Sequence, residues 1–301
     1  MKEYTLYPGC SLEAGGAGGH YMVSTEAVAH ELGIKFHEIN DWNCCGSSFA
    51  YLGGDLITET VLAARNLALA EPLGHDVVCP CSACYKVLNN ADHHMKDDPE
   101  LMAKVNKVLA RGGMSYKGSI RVRHLLDVLG NDIGLEAIRA KVVNPLAGLK
   151  VAGHVGCQTI RPHCEYDNPE APKVLDAVIE ALGAKAVKFP LKMKCCGAGL
   201  VVTEPDACYD LDRAILQSAT ENEADLIVSP CPMCQMNLEA YQGKINDKYD
   251  TNFEVPVIFI TQLMAVAFGL DPNKAAALNY ALVPVKDLLA PYYKNRAAAA
   301  H

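Results

Sequence analysis

The chain lacks any surplus of positive charge. Its 27 Lys and Arg stand against 35 Asp and Glu over 301 residues, a formal net charge of −8. That balance argues against a nucleic-acid polyanion as principal partner. Long apolar runs are missing too. The opening MKEYTLYPGC holds no apolar signal core, so nothing here reads as an export leader. The longest apolar stretch, residues 255–270, is broken by Thr261 and Gln262 and is too short to cross a bilayer comfortably. A cytoplasmic protein without a transmembrane segment is expected. No flavin or nicotinamide fingerprint is present. Gly15-Gly16-Ala17-Gly18-Gly19 comes nearest, but the G-x-G-x-x-G spacing fails at Tyr21. It reads instead as a loop that lets the backbone approach a cofactor or substrate closely. The terminal AAAAH, residues 297–301, reads as a cloning remnant and carries no weight.

What the chain has is cysteine, 13 in all. In a reducing compartment clustered cysteines point to metal or catalysis rather than to structural disulfides, and an odd count fits poorly with complete pairing. The cysteines fall into two copies of one pattern, C…CCG…PCxxC. The first copy is Cys10, Cys44-Cys45-Gly46 and Cys81-x-x-Cys84. The second is Cys157, Cys195-Cys196-Gly197 and Cys231-x-x-Cys234. Cys10 and Cys157 are 147 positions apart, and Cys44 and Cys195 are 151 apart. The ends of the two copies echo as well, HLLDVLG from His124 against QLMAVAFG from Gln262. A period this long marks a duplicated domain rather than a solenoid.

The surrounding pattern is α/β. Strands are expected at 4–7, 34–38, 76–78, 149–154, 186–189, 226–229 and 257–260. Helices are expected at 21–32, 56–70, 82–95, 171–182, 209–224 and 232–242. Strands alternating with helices imply mostly parallel sheets flanked by helices. Two similar domains are expected, 1–145 and 146–301, joined through Asn144-Pro145-Leu146-Ala147-Gly148, with residues 92–111 a solvated helical excursion. Cys10, Cys81 and their counterparts then sit where a strand ends and a helix begins. Cofactors of open α/β sheets bind there, and helix N-termini favour anionic sulfur.

Adjacent residues on a strand point to opposite faces. Two neighbouring thiols therefore address one object only where the backbone bends, and the glycine after each doublet permits that bend. Zinc in structural sites takes four ligands, often from two CxxC pairs, whereas each half offers five thiols and no histidine at zinc spacing. Cubane iron–sulfur clusters often use a compact C-x-x-C-x-x-C run, which is absent. Five dispersed thiols favour a larger or irregular iron–sulfur cluster, with a thiolate bridging irons, and leave zinc as the competitor.

This doubled pattern, running from YPGC to the HLLDVLG and QLMAVAFG ends, resembles the CCG cysteine-rich domains of the B-type (HdrB-like) heterodisulfide reductase family. The resemblance implies one noncubane [4Fe-4S] cluster per half. Cys10, Cys44, Cys45, Cys81 and Cys84 would hold the first, and Cys157, Cys195, Cys196, Cys231 and Cys234 the second. It implies an oxidoreductase acting on sulfur groups, with the substrate disulfide between the clusters in the cleft between the halves. Partners would be an HdrC-like ferredoxin-type protein and an HdrA-like flavoprotein. The substrate would be the coenzyme M–coenzyme B heterodisulfide of methanogens, or a lipoate-type carrier thiol in sulfur oxidisers. The competing reading is an electron-transfer component of a lactate- or glycerol-phosphate-type dehydrogenase complex.

Other residues carry weaker signals. His154, three positions before Cys157, is either a hydrogen-bonded core histidine or a proton donor to a leaving thiolate. Arg161, Lys192 and Lys194 are either a solvated charged face or binders of an acidic substrate tail. Cys79 aligns with Ser229, and Cys164 and Cys208 have no counterparts, so all three read as small buried residues rather than ligands. His93 and His94 read as surface.

Overall fold

In the computed structural model, which describes residues 1–48 and 53–293, short buried strands assemble into two four-stranded sheets. The segment 297–301 lies outside the described residues. The first half contributes β1 (Lys2–Leu6), β2 (Ile34–Glu38), β3 (Val77–Cys79) and β4 (Val122–His124). The second contributes β5 (Lys150–Gly153), β6 (Lys185–Ala186), β7 (Leu226–Ser229) and β8 (Val257–Phe259). Strand order is β2-β1-β3-β4 in one sheet and β6-β5-β7-β8 in the other, with every pairing parallel. The central strands are apolar throughout: Val77, Val78, Leu226, Ile227 and Val228 have no exposed surface, as expected of strands covered on both faces.

The covering helices in the first half are α1 (Gly19–Glu31), α2 (Leu56–Ala70), α3 (Ser82–Asp97) and α4 (Pro99–Leu109). After β4, α5 (Leu125–Asp127) runs through a π-helical turn, Val128–Gly134, into α6 (Leu135–Lys141). The second half adds α7 (Val174–Ala181), α8 (Pro205–Glu221), α9 (Pro232–Ala240), α10 (Gln242–Tyr249) and α11 (Ile260–Ala267). Helix α2 shows why the sequence folds this way. Asp55 caps it by accepting from the Thr58 N–H at 3.0 Å, and Thr60, Ala63, Ala64 and Leu67 form one buried stripe at helical spacing.

Several expectations change. Strand β4 is not among the expected elements, because Arg123 sits at its centre. Arg123 is nonetheless buried, donating to Asp127 at 2.6 Å and Asp132 at 2.6 Å. The expected strand at 186–189 shortens to the edge pair Lys185–Ala186. Residues 92–111 are not a solvated excursion. Helix α4 buries Leu101, Val105 and Leu109, and buried Asp92 accepts from Tyr116 Oη at 2.7 Å and Lys96 Nζ at 2.8 Å. Asn144 and Leu146 in the expected linker are likewise buried. The Asn144 N–H donates to the Ala267 carbonyl and the Leu146 N–H to the Leu182 carbonyl. The echo of HLLDVLG and QLMAVAFG pairs the right elements three residues out of register. His124 ends β4 opposite Cys79, and Phe259 ends β8 opposite Ser229.

The halves join face to face through one continuous hydrophobic core. Tyr21 of α1 stacks on Phe259, ring centroids 4.1 Å apart, and Ser24 meets Thr261 of α11 through a 2.7 Å hydroxyl contact. On the other side of the seam the α5–α6 region packs against α7.

Because α4 is part of the core, Leu109→Ala should lower the unfolding free energy by about 3 kcal/mol. Anaerobic urea unfolding measures it, and a change near zero would mean the helix is a solvated appendage after all.

Candidate metal centres

Each cysteine quintet comes off three neighbouring strands. Cys10 follows β1, the Cys44-Cys45 doublet follows β2, and Cys81 and Cys84 follow β3. In the second half Cys157 follows β5, Cys195-Cys196 follows β6, and Cys231 and Cys234 follow β7. Strand order reverses between β1 and β3, and again between β5 and β7. The carboxyl ends at such a reversal form the cofactor crevice of an open α/β sheet. Cys81 and Cys231 are the N-caps of α3 and α9, and Cys84 and Cys234 lie in their first turns, where the helix dipole favours negative sulfur.

Glycines make the convergence possible. Gly9 and Gly156 both adopt φ +74°. A Cβ on Gly9 would lie 2.7 Å from Cys84 Sγ, and one on Gly156 would lie 3.1 Å from Cys234 Sγ. The doublet glycines Gly46 and Gly197 also have positive φ, +88° and +71°. They press against α2 at Leu62 and α8 at Cys208, respectively.

The thiols touch one another. Cys10 contacts Cys44, Cys44 contacts Cys45, and Cys45 contacts Cys84, which contacts Cys81. Cys157 contacts Cys195, and Cys196 Sγ lies 3.4 Å from Cys234 Sγ, which in turn contacts Cys231. Cys81 and Cys231 meet across the seam. All 13 cysteines are free thiols. Protonation is shared unevenly within each set. The Cys10 thiol is pushed up by its hydrogen bond to Cys44 and by burial, while Cys44, accepting from Cys10 and Cys45, is held down to about 2. Cys157 is pushed up in the same way by Cys195 and burial, and Cys195 is held down to about 6 by Cys157. Packed thiols repel when ionised together, so full deprotonation needs a cationic centre among them. The all-sulfur donor set fits an iron–sulfur cofactor.

Cys208 stands behind the second doublet. Its Sγ donates to the Cys196 carbonyl at 3.5 Å and receives Asn237 Nδ2 at 3.1 Å. Asn237 also donates to that carbonyl, at 3.1 Å. Beside it Asp212 is fully buried, and burial lifts its carboxyl to about 8. Cys79 is buried in β3, and Cys164 is half-buried. His154 is buried with no hydrogen-bond partner at either ring nitrogen, and burial lowers it to about 4. Arg161 pairs with Glu170 at 2.8 Å and Lys192 with Asp176, while Lys194 is exposed. His93 is not merely surface, since it stacks on His163 with centroids 4.1 Å apart. The glycine-rich loop approaches the CxxC segment of the opposite half: a Cβ on Gly18 would lie 3.1 Å from Pro232 Cβ. Ser82 and Thr159, joined across the seam at 2.7 Å, carry no sequence signal that could single them out. They line a cavity of about 370 Å³ against Cys157, Cys195, Cys196, Cys231 and Cys234.

These features define a protein built from two copies of the CCG cysteine-rich domain, and that family matches residues 4–89 and 151–239. The chain belongs to the B-type heterodisulfide reductase family. It is 34% identical to a B-like heterodisulfide reductase protein of Archaeoglobus profundus over 92% of this chain and 94% of that one. It is 36% identical to the "8-methylmenaquinol:fumarate reductase membrane anchor subunit" of Wolinella succinogenes, over 96% of this chain and 99% of that one. A hypothetical protein from Helicobacter pylori shares the fold, with TM-score 0.75 and 16% identity over 94% of this chain and 52% of that one. Among the described residues no helix is long and apolar enough to cross a membrane. Family and donor set together identify the cofactor class as iron–sulfur.

Two outcomes are expected. Gly9→Ala and Gly156→Ala should each cut bound iron to about half, because a methyl group would enter the space of one CxxC sulfur; unchanged iron would show that the sulfurs have room to move. For Asp212, the folded value near 8 lies above the unfolded value of about 4. Folding therefore favours the neutral acid, and stability falls as pH rises from about 4 to about 8. The melting-temperature advantage of Asp212→Asn over wild type should grow from pH 5 to 8 and then level off. A constant difference would mean the carboxyl is ionised in the fold.

Proposed function

We propose that the chain is the catalytic component of a heterodisulfide reductase-type complex, an oxidoreductase whose two cysteine quintets each hold one noncubane [4Fe-4S] cluster. Residues 1–145 would carry the first cluster and 146–301 the second. The observation that carries this reading is the meeting of Cys81 and Cys231, which joins both thiol sets at the seam beside the cavity. When bound, the clusters would supply the two electrons that cleave a disulfide, or accept them in the reverse direction. The chain's own residues hold the sulfurs in contact and set helix N-termini behind them. Electrons would pass through a ferredoxin-type partner and a flavoprotein partner, with the complex in the cytoplasm. No protein side chain is required as a thiol nucleophile.

A second reading has its own support. The Wolinella relative, at 36% identity over nearly the whole chain, is named as part of a quinol:fumarate reductase. This favours the alternative of an electron-transfer component in a dehydrogenase complex.

The test is anaerobic purification followed by iron, sulfide and turnover measurements. About eight iron and eight acid-labile sulfide per chain are expected for two four-iron clusters. Cys84→Ala and Cys234→Ala should each remove one cluster and abolish viologen-driven disulfide reduction. Stoichiometric zinc with negligible sulfide would sink the cofactor assignment. Full turnover in either variant would make the missing cluster a relay or structural element.

A further inference from the structure

Away from both cysteine quintets, three metal-ligating side chains converge on the first sheet. Glu3 lies in β1, His37 lies in β2, and His75 leads into β3. Thr5 pairs with His37 on one side and with Val77 on the other. Glu3 stands two residues before Thr5 and His75 two before Val77, so the pleat turns all three side chains to one face. His37 Nε2 lies 2.6 Å and His75 Nε2 3.9 Å from the same carboxylate oxygen, Glu3 Oε2. The three donor atoms fall within 4.8 Å of one another. The imidazoles stack, centroids 5.2 Å apart and planes 9° from parallel. Two rings held this closely repel when both are protonated, whereas a metal ion takes both as neutral donors. Tetrahedral donors about 2.1 Å from zinc stand roughly 3.4 Å apart, so a small rotation of each side chain closes the set.

We infer that Glu3, His37 and His75 form a site for one divalent ion of the zinc class, with a fourth position left to water. Two imidazoles and a carboxylate suit zinc or nickel, whereas magnesium and calcium prefer oxygen donors throughout. Side-chain exposures of 38%, 32% and 35% for Glu3, His37 and His75 leave the ion a way in and room for that water. Lys35 is the competitor, its Nζ 3.4 Å from Glu3 Oε2. It is half-exposed, and surface pairs of this kind contribute little, so the ion can displace it. The ion would fasten β2, an edge strand whose partner is β1, to both β1 and the start of β3. The Cys44-Cys45 doublet follows directly from that edge strand. The inference stands apart from the disulfide-reductase reading, because no electron transfer is asked of this ion.

The experiment clears anaerobic holoprotein of loose metal with a mild chelator, dialyses it against buffered micromolar zinc, and counts zinc and iron per chain. One zinc per chain is expected in addition to the iron, with a raised melting temperature and an unchanged EPR spectrum. Glu3→Gln, His37→Gln and His75→Gln should each weaken zinc binding by more than the roughly tenfold that loss of an outer-shell partner costs, and should remove the rise in melting temperature. Lys35→Met should tighten binding, since the competing ammonium is gone. His30→Gln, at an exposed position of α1, should change nothing. Zinc held equally well by all three ligand variants, or lost only in Cys164→Ser, would mean an adventitious ion only and would overturn the inference. Wild type that binds no zinc, or that magnesium stabilises as well as zinc does, would overturn it too.

Discussion

Sulfur packed against sulfur is the constraint on which the rest of the architecture depends. Eight thiols in a contact chain, from Cys10 through Cys44, Cys45, Cys84 and Cys81 across to Cys231, Cys234 and Cys196, with Cys157 and Cys195 paired beside them, resist simultaneous ionisation unless positive charge lies among them. Three devices answer that demand. The thiols emerge at the carboxyl ends of parallel strands, where several loops reach one rim. The CxxC pairs begin α3 and α9, whose dipoles oppose the accumulated negative charge. Glycines stand wherever a Cβ would collide with a ligand sulfur or with the helix behind it.

The duplication also explains how the halves join. Cys81 and Cys231 occupy equivalent positions and touch each other, so they lie on the local pseudo-two-fold axis, and contacts come in reciprocal pairs as in an isologous interface. Helix α1 packs on α11, and the α5–α6 region packs on α7. Behind the ligands the symmetry fails. Tyr7 donates to the Asn43 carbonyl at 2.7 Å, Asn66 brackets Asn43 with bonds of 2.9 and 3.0 Å, and Arg65 donates to Asn43 Oδ1 at 3.0 Å, so the first CCG turn is clamped by hydrogen bonds. The corresponding places in the second half hold His154, without a hydrogen-bond partner, and Asp212, a buried acid beside Cys208. The two thiol sets match one for one, while the layers that support them differ.

Much of the fold can be read in the sequence wherever one local signal dominates. Residues 34–38, 56–70 and 226–229 form elements with the expected bounds, because apolar runs or a helical stripe there meet no competing signal. Strand β4 escapes because Arg123 reads as surface. Its burial depends on Asp127 and Asp132 downstream, a pairing that in sequence looks like any exposed i,i+4 ion pair. The 92–111 segment misleads for the converse reason. Its charges are real, but Leu101, Val105 and Leu109 make a single buried stripe among them, and Tyr116 satisfies Asp92 from beyond the window.

The site shows the same division more sharply. The proposed ligand positions need a thiol and admit no substitute, so a doubled cysteine pattern marks them directly in the chain. Supporting glycines are nearly as legible, since a positive φ or a missing Cβ next to sulfur excludes other residues. The cavity is different. Val155, Ala198, Leu200 and Met233 are chosen only for being apolar and of suitable size, and those properties are shared with every core position in the chain. What marks them is their place beside the second thiol set, which emerges only when the walls are assembled. Chemistry that requires one residue type is written locally, whereas the shape of a cavity exists only in three dimensions.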